Sequence, residues 1–367
     1  MCAVPLVKRS DSLVFFFRNG KLHCKNYLTD LEVESLPVLV QVLARLGDWR
    51  TLEDVQRSLP NYSPASVHRS LQELLAHTLI VEKGSAEAER EATLTPWKAW
   101  GVEARFLHFA TKNAFRTPPT TEEARFSRAL LRESPQPAFA KRFPGTKHFK
   151  LPGPPAKLNG EFVDVLLGRR THRCFAATPV PLDQISLLLW LTWGVTGHIR
   201  WPGLGWLPVK TSPSGGARQP LEAYVWALRV AGLARGIYHY RSDRHRLELL
   251  HRRADAGRVV ALCGGQDWIG DCGAFFVMTA VFPRVMWRYR FSRAYRAVLL
   301  EAGHFCQTFC LIATWLGLAP FCTAALLDEE IEKDLGLDGA TESVLYAAGV
   351  GKKLHPRSMS AEHSRRS

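Results

Sequence analysis

Three segments of the chain set cations beside small residues, a combination suited to binding an anion. In chain order these are GRRTHRCF at 168–175, TSPSGGARQPLEAYV at 211–225 and GVGKK at 349–353. A phosphate group requires positive charge together with a backbone that can approach it closely, which small residues permit. Each segment by itself is equally typical of a solvated loop. Three of them in one chain predict an anion-binding site assembled from distant parts of the sequence.

A fourth segment could supply acid–base chemistry. The sequence RVMWRYRFSRAYR at 284–296 is rich in arginine and places Arg288 directly before Tyr289. Since arginine stays protonated in proteins, Arg288 cannot act as a base, but it could lower the pKa of Tyr289 or hold an anionic substrate group. At helical spacing Tyr289, Arg293 and Arg296 share one face, which we expect at the substrate entrance, favouring an acidic peptide or a phosphopantetheine-like carrier. A packed tyrosine beside a solvated arginine face is the alternative.

The chain has the composition of an ordinary packed protein with a basic charge balance. It has 367 residues, of which 46% are hydrophobic and 22% are charged, and its formal net charge is +14. These values exclude a disordered or fibrous protein. The positive charge indicates an acidic partner, such as nucleic acid, an anionic cofactor or an acidic peptide.

The cysteines predict neither a zinc site nor a disulfide framework. None of them forms a C-x-x-C pair, and their scatter fits buried thiols in a reducing compartment, so we expect a cytoplasmic protein without a metal. For Cys322 a packing or backbone role is expected, because no resolving cysteine is spaced to it. The longest apolar stretch, 305–327, is interrupted by Gln307, Gly317 and Pro320, and therefore predicts a core helix that breaks and not a membrane span.

The order of elements near the N-terminus is that of a winged helix-turn-helix. The Asn-Gly pair at 19–20 is a strong hairpin signal between two apolar strands, and an apolar helix is expected over 30–46. Thr51 and Ser63 are typical N-caps of the next two helices, and LIVEKG closes the pattern as a strand. The third helix carries a single arginine and an acidic Glu73. Docking of a peptide, or of another part of the chain, is therefore favoured over DNA.

Composition divides the chain into four parts. We expect a winged-helix-like domain at 1–85, an ordered connector arm at 86–158, a compact domain at 159–355 and a disordered basic tail at 356–367. In the compact domain, strand signals occur in LEAYVWALRV, GIYHY, AFFVMTAVF and SVLYAAGVG, with a long apolar helix between the last two. This pattern predicts an α+β protein.

Several of these segments, in order, resemble the SagB-type dehydrogenases, which are FMN-dependent members of the nitroreductase fold. They are RRTHRCF, SPSGGARQPLEAYV, GIYHY, MWRYRFSRAYRAVLLEAGHFCQ and WLGLAPFCTAALLDEEIEKDLGLDG, and the similarity covers residues 95–353. The resemblance implies an α+β fold in which helices flank a central mixed sheet, preceded by the winged-helix-like domain. It also implies FMN as the cofactor and a homodimer built on the long helix at 292–318, where Ala302, Gly303 and Ala313 would allow a neighbour to approach.

The resemblance also assigns residues to the flavin. An arginine motif and two C-terminal cations would bind the phosphate and ribityl chain. A small-residue loop and the turn APFCTA would contact the rings. The loop commonly reaches across a homodimer interface in this family. The matching residues are, in chain order, Arg169, Arg170, Thr171, Arg173, Pro213, Ser214, Gly215, Gly216, Arg218, Cys322, Thr323, Ala324, Lys352 and Lys353.

Enzymes of this family typically dehydrogenate a thiazoline or oxazoline in a modified peptide. The azole-forming members carry a Lys-Tyr pair where this chain has Arg288 and Tyr289, which are the expected catalytic residues. Because the lysine is replaced, other reactions stay open: reduction of dehydroamino acids, oxidation of another peptide side chain, or action on a carrier-bound residue. A peptide-binding protein that has lost catalysis is the non-enzymatic alternative. Neither nucleic acid nor a membrane is expected as a partner.

Overall fold

The structure, a computed structural model, describes residues 5–35, 37–95, 101–111, 122–153 and 160–354. The chain forms two compact units, residues 1–114 and 115–367. The predicted domain boundaries at 85 and 158 stay predictions, and the predicted tail at 356–367 lies outside the described residues.

The described part of the first unit contains short strands and helices. They are Leu6–Arg9 (β1), Leu13–Arg18 (β2), Lys21–Asn26 (β3), Leu31–Glu34 (β4), Pro37–Arg45 (α1), Arg50–Thr51 (β5), Leu52–Arg57 (α2), Pro64–Ala76 (α3), Ile80–Glu82 (β6), Ala86–Ala92 (α4) and Gly101–Ala110 (α5). One sheet has the order β5-β1-β6 and the other the order β2-β3-β4.

Local signals explain most of this unit. Asn19 and Gly20 have φ of 52° and 77°, the left-handed conformation that a tight hairpin between β2 and β3 requires. The Ser63 side chain accepts a hydrogen bond from the Ser66 backbone and caps α3, whose apolar side chains face the core. The helix predicted over 30–46 is shorter than expected. Its first part forms β4 instead, because Leu31–Glu34 pairs with β3.

The second unit is built on a sheet with helices on both faces. Its described elements are Glu123–Glu133 (α6), His148–Lys150 (β7), Phe162–Gly168 (α7), Val180–Pro181 (β8), Leu182–Trp193 (α8), Gly197–Trp201 (β9), Gly205–Val209 (β10), Leu221–Ala227 (β11), Val230–Ala231 (β12), Gly236–Arg241 (β13), Arg246–His251 (β14), Ala256–Leu262 (α9), Ala274–Val281 (β15), Pro283–Met286 (α10), Ala294–Trp315 (α11), Leu318–Thr323 (β16), Asp328–Leu335 (α12) and Glu342–Lys352 (β17).

The main sheet has seven described strands in the order β16-β17-β15-β11-β13-β14-β7. All of its described pairings are antiparallel, which corrects the prediction of a mixed sheet. A tight turn joins β13 to β14, and α12 returns the chain so that β17 runs against β16. The first connection is too short for parallel neighbours, whereas the second is long and contains a helix but still leads to an antiparallel pair.

The centre of the sheet is covered on both faces. Every residue of β11 is buried, and alternate side chains enter two separate apolar clusters. Helices α8 and α11 pack on one of these faces. By length and composition α11 could cross a membrane, but 44% of its most apolar stretch is buried inside the protein. Its buried side chains belong to the core of this unit.

Candidate functional site

The arginine segment and the C-terminal cations lie together in the structure. The segment leaves α7 at Arg169 and runs along the edge of the main sheet, where the His172 backbone N–H donates to the Pro320 carbonyl at 2.9 Å. Further on, the Ala176 N–H donates to the carbonyl of Lys352, also at 2.9 Å. Two of the three segments singled out in the sequence are therefore joined through β16 and β17.

These segments concentrate positive charge without a neutralising carboxylate. Among the described residues, no ion pair involves Arg169, Arg170, Arg173, Lys352 or Lys353. The Lys352 ammonium donates instead to the Gln184 amide at 3.2 Å, and the Arg173 guanidinium lies 5.7 Å from the centre of the Trp268 ring. Burial and the nearby Lys353 charge lower the pKa of His172. A cation cluster of this kind is suited to a phosphate or another anion.

The backbone also contributes to this cluster, although less than the sequence indicated. Arg170 donates to the carbonyls of Leu167 and Arg169, so part of its function is to end α7, and the Thr171 side chain is exposed. The glycines of GVGKK do not form an anion-binding loop. They lie within β17, where Phe321 covers Gly349 and Phe175 covers Gly351 so closely that a β-carbon would not fit.

The segment APFCTA, expected as a turn, forms the edge strand β16 up to Thr323 and leaves the sheet at the exposed Ala324. The Thr323 hydroxyl accepts hydrogen bonds from the Gln266 side chain at 3.2 Å and from the Ala325 N–H at 3.1 Å. The Tyr346 hydroxyl donates a hydrogen bond to Cys322 Sγ at 3.3 Å. These hydrogen bonds fix the side chains of Cys322 and Thr323 at the end of the strand.

Cys322 has two cysteine neighbours that sequence spacing did not reveal. The sulfur atoms of Cys306, Cys310 and Cys322 all lie within 4.8 Å of one another. Hydrogen bonds from Cys306 and Cys310, together with the charge of Arg169, hold the pKa of Cys322 well below its usual range. The premise that no cysteine is positioned near Cys322 is therefore wrong, while its packing or backbone role stays a prediction.

The small-residue loop adopts a conformation that few L-amino acids favour. Gly216, Ala217 and Gln219 have φ of 58°, 52° and 51°. Each non-glycine residue in this region costs about 1–3 kcal/mol, and such strain is concentrated at functional sites. Hydrogen bonds hold the loop in place. The Gln219 N–H donates to Ser214 Oγ at 2.9 Å, and the Arg218 guanidinium donates to the Gly216 carbonyl at 2.8 Å.

Arg218 lies beneath this loop. Its guanidinium is 5.4 Å from the Phe139 ring centre and 5.5 Å from that of Trp287, and the residue is 1% exposed. Pro213 and Gly215 are exposed at the loop surface. Arg218 therefore supports the loop from inside, while the small residues form its outer wall.

Two ionisable side chains that the sequence did not indicate lie next to the loop, and one of them, Glu301, holds it. Glu301, on α11, is hydrogen bonded to the Ser214 side chain and the Gly215 backbone, yet burial raises its pKa to about 7. Burial also lowers the pKa of the neighbouring Lys210 to about 8. The signal for Glu301 was a lone carboxylate within the apolar helix sequence AVLLEAGHF.

The two predicted catalytic residues lie beside the loop, next to Gly216. Tyr289 is partly exposed, and its hydroxyl contacts Gly216. Arg288 is 5% exposed, and its guanidinium lies 5.3–5.6 Å from the ring centres of Phe126, Trp201 and Tyr289. Arg288 is thus buried among aromatic rings, whereas the Tyr289 side chain reaches the loop.

Helix α11 contacts both the small-residue loop and the start of the arginine segment. The Ser212 and Thr308 hydroxyls are 2.7 Å apart, and the loop tip contacts Glu301. The arginine segment begins near the other end of α11, where Gly168 lies beside Thr314. Because Glu301 and Thr314 are 13 residues apart on α11, the loop tip and the start of the arginine segment are separated by about 20 Å along its axis, whereas Ser212 lies nearer to that segment.

Comparison with known proteins places this unit in a family. The model described as "Nitroreductase family" matches residues 166–352, just over half of the 367 residues. "Putative nitroreductase MJ1384" of Methanocaldococcus jannaschii is 32% identical over 192 residues, which are 52% of this chain and 90% of that protein.

Two relatives come from Rhizobium leguminosarum bv. trifolii. "Trifolitoxin-processing protein TfxB" is 33% identical over 170 residues, 45% of this chain and 46% of its own length. "Trifolitoxin operon protein TfxC" is 23% identical over 294 residues, 77% of this chain and 80% of its own length. The chain thus spans less than half of TfxB. The matched region holds all of the predicted flavin-binding residues except Lys353, and the chain belongs to the nitroreductase family.

Proposed function

We propose that this protein is an FMN-dependent oxidoreductase that acts on a modified peptide. The observation that supports it most directly is the cluster of arginines and lysines along β16 and β17, which has no carboxylate partner among the described residues. A flavin mononucleotide carries a dianionic phosphate at one end and flat apolar rings at the other. The cation cluster fits the first of these ends and the strained small-residue loop fits the second.

The residues that would hold the cofactor divide by chemistry. Arg169, Arg173 and Lys353 would bind the phosphate, while Thr323 and Ala324 offer a polar edge and an open backbone where β16 ends. The loop around Gly215 would supply the flat wall for the rings. When bound, FMN supplies a hydride acceptor, and the remaining chemistry falls to residues of this chain.

We further propose that the site is completed by a second copy of the chain. The loop tip and the start of the arginine segment lie about 20 Å apart along α11, which supports a site in which the partner's loop reaches a flavin held by this chain's arginines. The exposed face of α11 includes Leu299 and Leu300, with Gly303 one turn further on. Ala302 and Ala313, also expected at that contact, are instead buried in the core of their own unit.

Tyr289 is our candidate for the acid–base group, since its hydroxyl contacts the loop that would lie along the rings. Arg288 is enclosed by aromatic rings, which favours a supporting role: it fixes the orientation of the Tyr289 ring and adds positive charge beside it. This arrangement gives less support to a direct grip of Arg288 on an anionic substrate.

The peptide substrate is inferred from similarity and from the first unit. TfxB is named for trifolitoxin processing, and it shares 33% identity with part of this chain. The first unit has an apolar groove of about 300 Å³ between β4, α1 and α3, lined by Leu39, Val42, Val67 and Leu71 among others. We propose that this groove binds an unmodified part of the peptide, and that the second unit dehydrogenates a thiazoline or oxazoline in the cytoplasm.

Flavin release and a charge-removing variant test the proposal. The purified protein should be yellow and release FMN on denaturation. The Arg173→Ala variant should lose at least about 10-fold in FMN affinity, because a charge-assisted hydrogen bond to phosphate is removed. Arg244→Ala removes an exposed arginine at the β13–β14 turn and is the matched control. Equal FMN affinity of the two variants would contradict the assignment of the arginine segment.

The reaction is tested separately, by anaerobic mixing of the holoenzyme with thiazoline-containing peptides, with dehydroamino acid peptides and with carrier-bound heterocycles. Bleaching of the flavin by a thiazoline peptide is the expected result. Reoxidation of reduced flavin by a dehydroamino acid peptide would instead support the reductase alternative. A colourless protein that binds peptide would support the non-enzymatic one.

A further inference from the structure

We propose that Cys306, Cys310 and Cys322 form a binding site for a thiophilic divalent cation of the zinc type. The site joins two turns of α11 to the edge strand β16. It adjoins the proposed flavin site, with which it shares Arg169 and Cys322, but it has a different chemistry: soft sulfur ligands for a metal ion instead of cations for a phosphate.

The sulfur positions are compatible with coordination. Cys306 and Cys310 are four residues apart on α11 and therefore point from one face of the helix, towards Cys322. Since the three sulfurs lie within 4.8 Å of one another, an ion at their centre would be at most about 2.8 Å from each, against a usual zinc–sulfur distance of about 2.3 Å. Side-chain shifts of about half an ångström close this difference.

The surroundings meet the other requirements of a metal site. The Tyr346 hydroxyl donates to Cys322 Sγ at 3.3 Å, which orients this ligand from outside the coordination sphere. Cys306 and Cys310 are buried, whereas Cys322 is partly exposed and provides the route of entry and an open fourth position for water. A site with three protein ligands and one water is a common zinc arrangement.

Charge balance favours a divalent ion. When three thiols bind the ion, they release three protons to solvent, and the resulting thiolates with Zn²⁺ carry a net charge of −1. Arg169 lies close enough to influence the charge on both Cys310 and Cys322. Its guanidinium would neutralise the zinc–thiolate group, whereas a monovalent ion would leave an additional buried negative charge.

Zinc titration of the full-length protein tests the proposal. The protein, with its flavin content unchanged, is treated with a chelator and a phosphine reductant and is then titrated with Zn²⁺ against a chromophoric chelator. We expect one high-affinity equivalent per chain in the wild type. In parallel, zinc should protect Cys322 from alkylation by N-ethylmaleimide, as mapped by peptide mass spectrometry.

Variants distinguish this site from other thiols. Cys322→Ser should lose at least about 100-fold in zinc affinity, and Tyr346→Phe, which keeps all three ligands, about 10–100-fold. Cys174→Ser removes an exposed thiol and Cys263→Ser a buried one elsewhere, and both should bind zinc as the wild type does. The Tyr346→Phe variant keeps the test valid if Cys322→Ser does not fold.

Three results would overturn the proposal: unchanged zinc affinity in Cys322→Ser, loss of the bound equivalent in Cys174→Ser, or the absence of any high-affinity equivalent in the wild type. In the last case, a disulfide from Cys322 to Cys306 or Cys310 after removal of the reductant would reassign the cluster to thiol oxidation. Flavin content is measured on the same sample, so failure of the zinc proposal can be distinguished from failure of the FMN proposal.

Discussion

The hydroxyl group of Tyr289 lies against the backbone of Gly216, where it occupies the space that any larger residue would need for its β-carbon. Gly216 also has a φ of 58°, a value that L-amino acids seldom adopt. The loop and the tyrosine are therefore fitted to each other. The contact links a small-residue loop, which we assign to the flavin, with the side chain that we propose as its acid–base partner.

Gly216→Ala should disturb this contact. The new methyl group meets the Tyr289 hydroxyl and sits on a left-handed backbone, so we expect unfolding to become easier by about 1–3 kcal/mol. Gly215→Ala is the matched control, since a β-carbon at Gly215 meets nothing within 4 Å. Thermal denaturation of the two variants measures the difference. Equal melting temperatures would show that the loop adapts and that the contact is not specific.

Removal of the Tyr289 hydroxyl tests its chemical role. Tyr289→Phe keeps the ring packing, so bound flavin should be retained while flavin reduction by the peptide slows by about 100-fold or more, the usual scale for a positioned acid–base group. Stopped-flow absorbance of the flavin reports this rate. Reduction at the wild-type rate would leave Tyr289 with a packing role only.

For Arg288→Lys, the structure and the sequence lead to different predictions. It restores the Lys-Tyr pair of azole-forming relatives, and by sequence alone thiazoline oxidation should survive or rise. In the structure the Arg288 guanidinium lies 5.3–5.6 Å from the ring centres of Phe126, Trp201 and Tyr289, and a lysine ammonium does not replace all of these contacts. We therefore expect a lower melting temperature, with the rate per folded molecule unchanged or raised. A stable variant with an increased KM would instead support a substrate-binding role.

The fold was predictable because its strongest signals are local. The run AFFVMTAVF predicts β15, and the apolar periodicity of 292–318 predicts α11, which the structure gives as Ala294–Trp315. The directions of the strands were not predictable to the same degree. Antiparallel pairing of β16 with β17 depends on where α12 returns the chain, and that is a tertiary contact without a sequence signature.

The candidate site was likewise predictable only in part. Composition and spacing predict that Arg169 and Lys352 serve one anion, and the structure brings their segments together through β16 and β17. The glycine pattern of GVGKK was misleading, because packing of an aromatic ring and approach of a phosphate select glycine for the same reason, the missing β-carbon. The cysteine cluster was missed because Cys322 reaches α11 only through sheet packing.

Glu301 predicts a pH dependence of stability. Burial raises its pKa from 4.5 in the unfolded chain to about 7 in the folded protein. The folded state thus holds the proton more tightly, and this contribution is complete below pH 4.5 and is lost as the pH rises to about 7. Glu301→Gln keeps the shape of the side chain but does not titrate. Over this pH range the free energy of unfolding of the variant should therefore fall less than that of the wild type, by a difference of up to about 3 kcal/mol.

Urea denaturation at several pH values from 5 to 7.5 measures this effect. The range lies below the pKa of about 8 of the neighbouring Lys210, so that group stays charged in most molecules. Glu329→Gln, which changes an exposed carboxylate on α12, is the control and should follow the wild type. Parallel profiles for wild type and Glu301→Gln would mean that Glu301 is ionised throughout.

A mixing experiment decides whether one flavin site draws on two chains. Arg173→Ala removes a cation from the arginine segment, and Gly216→Ala distorts the loop, so each variant alone should bind FMN weakly. If the partner's loop completes the site, a heterodimer of the two variants contains one site with both changes and one with neither. An equal mixture that exchanges subunits should then recover high-affinity binding in about a quarter of all sites. FMN fluorescence quenching counts these sites, and light scattering confirms the dimer. If the loop and the arginines of one chain serve the same flavin, every site carries one change and no binding is recovered.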